Sequence, residues 1–252
     1  MRITIFGLGE AGSLIASDLA TQEMDVQAFD PADVPTPDRV TRCSDPAEAV
    51  DGATIVMSVT AAADSRDAMD QAWDSIGSPT IYADLSTAAP RVKLELADVA
   101  SEKGVAFADV ALMAPVPGRG LSTPALAAGT GAKDLSDLLN HHGARIEVIG
   151  DVAGEASARK LTRSVVTKGL AALIIEAIEA GEARGEGDWA RAHIVELVTA
   201  LDAEMVERLI SGTIEHGSRR LEEMQTAADF LDGLGVRPLM TRATVERLRR
   251  YG

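Results

Sequence analysis

The stretch "RITIFGLGEAGSLIASDLA" constrains this chain more than any other. Residues 2–6 form a short apolar run that reads as a buried strand, and "SLIASDLATQ" places apolar residues at helical spacing. Between them stand Gly7, Gly9 and Gly12 in the pattern G-x-G-x-x-G. A strand that ends on such glycines and turns at once into a helix leaves few folds open. The first glycine permits the tight turn, the second lets an anion approach the backbone, and the third lets helix and strand pack closely. The free N–H groups at the helix start then face that anion. Gly7, Leu8, Gly9, Glu10, Ala11 and Gly12 are therefore candidates for holding a pyrophosphate.

The next strand, "DVQAFD", ends in Asp30, 18 residues after Gly12. A carboxylate there accepts hydrogen bonds from ribose hydroxyls and repels a 2′-phosphate, so NAD is the expected cofactor and NADP is disfavoured. The plain alternative is a glycine turn beside a solvated Asp. Further strands read as "TIVMSVT", "TIYADLS", "VAFADVAL" and "RIEVIG". Helices read as "DPAEAVDGA" with Asp45 as its cap, "AAADSRDAMDQAWDSI", "PRVKLELADVASEKG" and "AKDLSDLLNHHG". "PADVPTPDRV" and "TPALAAGT" read as connections. Strands alternating with helices over residues 1–150 indicate a parallel sheet covered on both faces.

After Gly150 only helical patterns remain, over about 155–184, 188–211, 213–235 and 241–250. The expected fold is α/β: an N-terminal Rossmann-type doubly wound parallel sheet followed by an all-α C-terminal domain. Residues 1–153 are expected to bind the dinucleotide. Residues 154–252 are expected to form the helical substrate and dimerisation domain, with a homodimer joined through it.

Composition narrows the partners. Apolar residues make up 46% of the 252, enough for a proper core. The longest apolar helix segment, "AALIIEAIEA", is broken by Glu176 and Glu179, so no bilayer span is expected. "MRITIFGLG" lacks the pattern of a signal peptide, and Cys43 is the only cysteine. The expectation is a soluble cytoplasmic protein. Against 24 Lys and Arg stand 39 Asp and Glu, a net charge of −15, which disfavours nucleic acid and acidic membranes as partners. The four histidines show no metal spacing, and no P-loop or nucleophile elbow occurs, so no metal is expected.

Against that acidic background, "GEASARKLTRSVVTKG" crowds Arg159, Lys160, Arg163 and Lys168 into ten residues. Lys160, Ser164 and Lys168 lie at i, i+4 and i+8, with Thr167 near the same direction, opposite Ala158, Leu161, Val165 and Leu173. An ordinary solvated face is one reading. A site for an anionic small molecule, with a lysine acting as general acid or base, is the other. Val59 and Thr60, like Ser86 and Thr87, close strands at the end where open parallel sheets bind ligands. Helix capping before Pro90 is the alternative for the latter pair. In "APVPGRG", Pro117, Gly118, Arg119 and Gly120 offer close backbone approach and a cation, or simply a loop. His216 and Arg220 share a helical face, as either an anion site or a surface with Arg–Glu pairs.

Taken in order, "GLGEAG", "DLSTAAP", "DVALMAPVPGRG" and "GEASARKLTRS" resemble the β-hydroxyacid dehydrogenases, the group of 3-hydroxyisobutyrate and 6-phosphogluconate dehydrogenases. The resemblance spans residues 1–180. The remaining helices resemble the branch with a short, phosphogluconate-dehydrogenase-like C-terminal domain. The resemblance implies hydride transfer between a nicotinamide and a small hydroxy acid, phosphorylated or not. The family's catalytic lysine, which shuttles the hydroxyl proton, matches Lys160. Its D-x-S-T segment matches Asp84, Ser86 and Thr87, with Thr87 near the nicotinamide. Its S-G-G substrate loop matches Pro117, Gly118, Arg119 and Gly120 only in part, because the serine is absent. The asparagine one turn after the lysine is Ser164 here, which implies an altered substrate. Imine reductases share the scaffold but normally lack the lysine. An imine or ketone reductase is the alternative within enzymes, and a non-catalytic NAD(H)-binding sensor the alternative outside them.

Overall fold

A computed structural model describes residues 1–252. The chain divides into two compact units, Met1–Arg163 and Ser164–Gly252.

The first unit is built on eight strands: β1 Arg2–Phe6, β2 Asp25–Phe29, β3 Thr41–Arg42, β4 Ile55–Ser58, β5 Ile81–Asp84, β6 Ala106–Leu112, β7 Pro124–Ala128 and β8 Arg145–Gly150. Their order in the sheet is β3-β2-β1-β4-β5-β6-β7-β8. The first six follow the doubly wound order whose direction reverses between β1 and β4. Ile3, Ile5, Ile55, Val56, Tyr82 and Ala83 are all buried, as strands covered on both faces require. Helices α1 Glu10–Thr21, α2 Pro46–Val50, α3 Ser65–Asp70, α4 Pro90–Glu102 and α5 Ala132–Asn140 connect the strands. Asp45 caps α2 by accepting the Ala47 N–H at 2.7 Å.

Three readings of this unit need correction. The sheet is not wholly parallel, because β7 runs antiparallel to β6. That strand lies in "TPALAAGT", a stretch whose sequence reads as a connection. Alanine and glycine carry little strand signal, and Pro124 is tolerated only because it opens the strand. The two-residue β3, Thr41–Arg42, directly follows the loop "PADVPTPDRV" and is a strand the sequence reading leaves out. The helix expected over "AAADSRDAMDQAWDSI" shrinks to α3 and a single 3₁₀ turn at Trp73–Ser75.

The helix α6, Glu155–Ala183, begins in the first unit and contributes its later turns to the second. The second unit adds α7 Gly187–Thr199, α8 Ala203–Glu215, α9 Gly217–Gly233 and α10 Leu239–Leu248. The single helix expected over 188–211 is two, because the chain breaks at residues 200–202. There the Asp202 side chain accepts the Met205 N–H at 2.8 Å and caps α8. Glu176, buried on α6, accepts from the Met240 and Thr241 amides at 2.7 and 2.8 Å and from the Thr241 hydroxyl at 2.6 Å. It thereby caps α10. Burial raises its pKa, but the bonds from Thr241, Met240 and Leu239 outweigh that and hold the carboxyl below its ordinary value. No helix is long and apolar enough to cross a membrane.

Candidate cofactor and active site

The glycine turn does what its spacing requires. Gly7 has a φ of +93°, and a Cβ on it would come within 2.6 Å of the Val59 carbonyl oxygen. A Cβ on Gly12 would come within 1.9 Å of the Gly7 carbonyl oxygen, so this glycine is what lets α1 seat on β1. Gly9 differs, since a Cβ there would meet nothing within 4 Å. The open space at the start of α1 is where an anion can reach the helix N-terminus. The Leu8 side chain is buried in the core, so the residue offers only its backbone. Glu10 and Ala11 form the first turn of α1.

Asp30 is fixed by that same turn. Its Oδ2 accepts the Leu8 N–H at 2.7 Å and its Oδ1 accepts the Ala32 N–H at 2.8 Å. Arg42 donates to the carbonyls of Asp30, Ala32 and Val34 at 2.8, 2.5 and 2.6 Å and so shapes the segment after β2. Gly7, Gly9, Asp30, Val59 and Thr60 line one cleft of about 420 Å³ at the ends of β1, β2 and β4. This is the point where the strand order reverses. The sequence reading missed Asp64 and Asp67, which line the same cleft. Their signal was faint: two carboxylates in a short, polar helical segment look like surface.

Ser86 and Thr87 follow β5. Neither caps α4, whose N-cap is Ala89 with no side-chain bond. Ser86 is buried and its hydroxyl has no partner, while its N–H is held by Asp84 Oδ1 at 2.8 Å. Thr87 is exposed. The Pro117–Gly120 segment is tied to α1, because Asp18 Oδ2 accepts the Leu121 N–H at 2.7 Å. Gly120, with φ +51°, leaves no room for a Cβ beside that carboxylate. Gly118, with φ +77°, faces open space, and Arg119 is exposed.

Lys160 is half-buried in the early turns of α6, within the first unit. The first turn of that helix is held by Asp109, whose Oδ2 accepts the Gly154 and Ser157 N–H groups, each at 3.0 Å. Ser164, Lys168, His216 and Arg220 belong to the second unit. His216 stands between α8 and α9. Arg220 donates to Thr213 Oγ1 at 2.5 Å and to the Leu209 carbonyl at 3.3 Å, so its guanidinium braces α9 against α8. The sequence reading also missed Lys93, on α4, which is fully buried beside Asp84 and Asp109. A signal was present: Lys93 shares the helical stripe of Leu96 and Ala100, both buried.

Residues 2–150 match the NAD binding domain of 6-phosphogluconate dehydrogenase. The chain belongs to that family. Its scaffold is therefore that of an NAD(P)-binding oxidoreductase, as the resemblance implied. Residues 182–251 match a domain of unknown function, DUF1932. An uncharacterized 28.5 kDa protein of Methanothermus fervidus is 27% identical over 164 residues, 65% of this chain and 63% of that protein. The chain thus spans less than two thirds of that relative's length. A conserved protein of unknown function, described as structurally similar to 3-hydroxyacid dehydrogenases, aligns over 100% of this chain and 96% of its own, with 27% identity and a TM-score of 0.62. An imine reductase from Myxococcus stipitatus in complex with NADP+ aligns over 99% and 93%, with 15% identity and a TM-score of 0.82, a likeness of fold. The residues present fit a dinucleotide: an open cradle at Gly9, a carboxylate at the end of β2 and an unpartnered buried hydroxyl at Ser86.

Proposed function

We propose that this chain is an NAD-dependent dehydrogenase of small hydroxy acids. Residues 1–153 bind the cofactor, and residues 154–252 carry substrate and dimer contacts. The observation that carries the reading is the cleft joining Gly7, Gly9, Asp30 and Thr60, with Lys160 following on a helix anchored in the same unit. Bound NAD supplies the nicotinamide that accepts the hydride. The Gly9 cradle and the start of α1 receive the pyrophosphate. Asp30 accepts from the ribose hydroxyls. Asp30, Asp64 and Asp67 line the cleft with no Lys or Arg among its lining residues, a setting that opposes a further phosphate and supports NAD over NADP.

Ser86 and Thr87 orient the nicotinamide end. Lys160 takes the proton of the substrate hydroxyl at its Nζ as the carbon–hydrogen bond breaks, and returns it in the reverse direction. Gly118, Arg119 and Gly120, in the same unit as Lys160, receive the substrate carboxylate. Lys160 separates this reading from an imine reductase, which has no hydroxyl proton to remove. The unpacked faces of α7 and α8 support a homodimer joined through the helical unit.

The test is turnover. Purified protein with NAD+ is assayed against a panel of hydroxy acids and their phosphates, and with NADH against cyclic imines, by the absorbance of reduced nicotinamide. Oxidation of a hydroxy acid supports the reading. Imine reduction with no hydroxy-acid oxidation, or preference for NADP+, would overturn it.

A further inference from the structure

We propose that Lys93 is a positioning residue: with Asp109 it clamps the first turn of α6, and so Lys160, to the segment Asp84–Thr87. The inference rests on the reading that Lys160 carries the proton and that Ser86 and Thr87 face the nicotinamide.

The neighbouring strands β5 and β6 pair in a register that sets Asp84 directly beside Asp109. Both carboxylates are fully buried. Two like charges side by side in a core are unfavourable, and a third group must answer them. Lys93 does so. Its Nζ donates to the Asp84 carbonyl at 2.8 Å and lies 3.4 Å from both Asp84 Oδ1 and Asp109 Oδ1. Each carboxylate also holds backbone. Asp84 Oδ1 accepts the Ser86 N–H, and Asp109 Oδ2 accepts the Gly154 and Ser157 N–H groups. One ammonium thus joins the turn that carries Ser86 to the start of the helix that carries Lys160.

A buried charged group of this kind is a poor way to add stability, since apolar side chains of similar volume often serve as well or better. It is a good way to fix geometry: Lys93 is aimed by its bond to the Asp84 carbonyl, and each carboxylate holds backbone amides through one oxygen. The ammonium pairs with both at ion-pair distance, while Asp84 Oδ2 and Asp109 Oδ1 accept no hydrogen bond. Lys160 lies three residues beyond Ser157, on the adjoining turn of the same helical side. A proton acceptor and a hydride acceptor must keep a fixed separation, and an error of about 1 Å can cost on the order of 100-fold in rate.

Amide hydrogen exchange of the cofactor-free protein tests this without any substrate. In Lys93→Met, exchange over residues 154–160 should quicken by about 10-fold or more, while residues 2–21 stay as in the wild type. NADH affinity should stay within about 3-fold, and kcat on the substrate found by the panel should fall by about 10- to 100-fold with KM for NAD+ unchanged. Asp109→Asn keeps the side-chain shape and gives a second reading should Lys93→Met not fold. It should quicken the same amides by a smaller factor. Unchanged exchange over 154–160 in both variants, or an equal rise throughout the first unit, would overturn the clamp. Failure of the proton-carrier reading would look different: Lys160→Ala would keep full kcat, while the exchange result, which does not depend on Lys160, would still report the clamp.

Discussion

Ile3, Ile5 and Ile55 in the sheet are wholly buried, whereas Val206, Leu209, Ile210 and Ile214 on α8 are 45–62% exposed. The residue types are the same; what differs is whether one chain supplies enough neighbours. The central strands β1, β4 and β5 are buried within their own unit. Helix α8 buries no residue at all, and α7 buries only Ala190. On α6, Leu161, Val165 and Leu173, the apolar side opposite the lysine stripe, are exposed as well. An amphipathic helix is stable in water mainly through its packed face. The sheet strands thus find their apolar neighbours within the first unit, whereas α7 and α8 leave apolar faces uncovered, as the proposed homodimer would require.

Four substitutions sharpen or break this contrast. The largest effect belongs to the complete unit. Gly12→Val places a side chain against the Gly7 carbonyl, so it should cost about 3 kcal/mol, the upper end of ordinary overpacking, and remove measurable NADH binding. Thermal melts and NADH fluorescence read both, and a stable variant that binds normally would contradict the account of the turn. Next comes the incomplete unit. Ile210→Asp in the α8 stripe should weaken the dimer by about 2 kcal/mol, as a central interface residue does, while leaving the melting of the monomer nearly unchanged. Light scattering across concentrations gives the answer, and a wild type that is monomeric at micromolar concentration would end the comparison.

Glu176→Ala follows, at about 1–3 kcal/mol, because it strands the α10 amides. The pH dependence has a definite sign. The folded carboxyl titrates below its unfolded value, so its contribution is present above the unfolded pKa of about 4.3 and is lost as pH falls through the folded one. Denaturant midpoints between pH 3 and 6 should show this slope in the wild type and lose it in the variant. Smallest is Asp30→Ser, which should narrow the preference for NADH over NADPH by about 10-fold, roughly 1.4 kcal/mol. Parallel titrations decide it, and an unchanged ratio would remove Asp30 from cofactor choice.

The same contrast explains what the sequence made legible. Gly7, Gly9, Gly12 and Asp30 announce themselves because each answers a local requirement of turn, approach or hydrogen bond. The buried strands announce themselves as unbroken apolar runs. The break at residues 200–202 does not, since Ala200 and Leu201 are good helix formers and only the capping of Asp202 reveals the stop. Strand β7 stays hidden because "PALAA" owes its shape to its neighbours β6 and β8, not to its own propensities. Lys93 was legible in principle, as a charge on an apolar stripe. Its partners Asp84 and Asp109 lie 25 residues apart in sequence and meet only through strand register. Arg220 illustrates the converse, for a helical face shared with His216 suggests an anion site, yet its guanidinium turns to Thr213 and the Leu209 carbonyl.

The central claim is that Lys160 moves the proton while the glycine turn, elsewhere in the first unit, holds the cofactor. It is tested most directly by measuring kcat and NADH affinity together for the wild type, Lys160→Ala and Lys160→Arg, each checked for fold by circular dichroism. General acid–base catalysis contributes about 10²- to 10⁴-fold, so Lys160→Ala should lose that much kcat with NADH affinity unchanged. Lys160→Arg should not recover it, because a guanidinium stays protonated and cannot accept the proton. A Lys160→Ala protein that turns over at the wild-type rate, or one whose loss follows weakened NADH binding, would contradict the account.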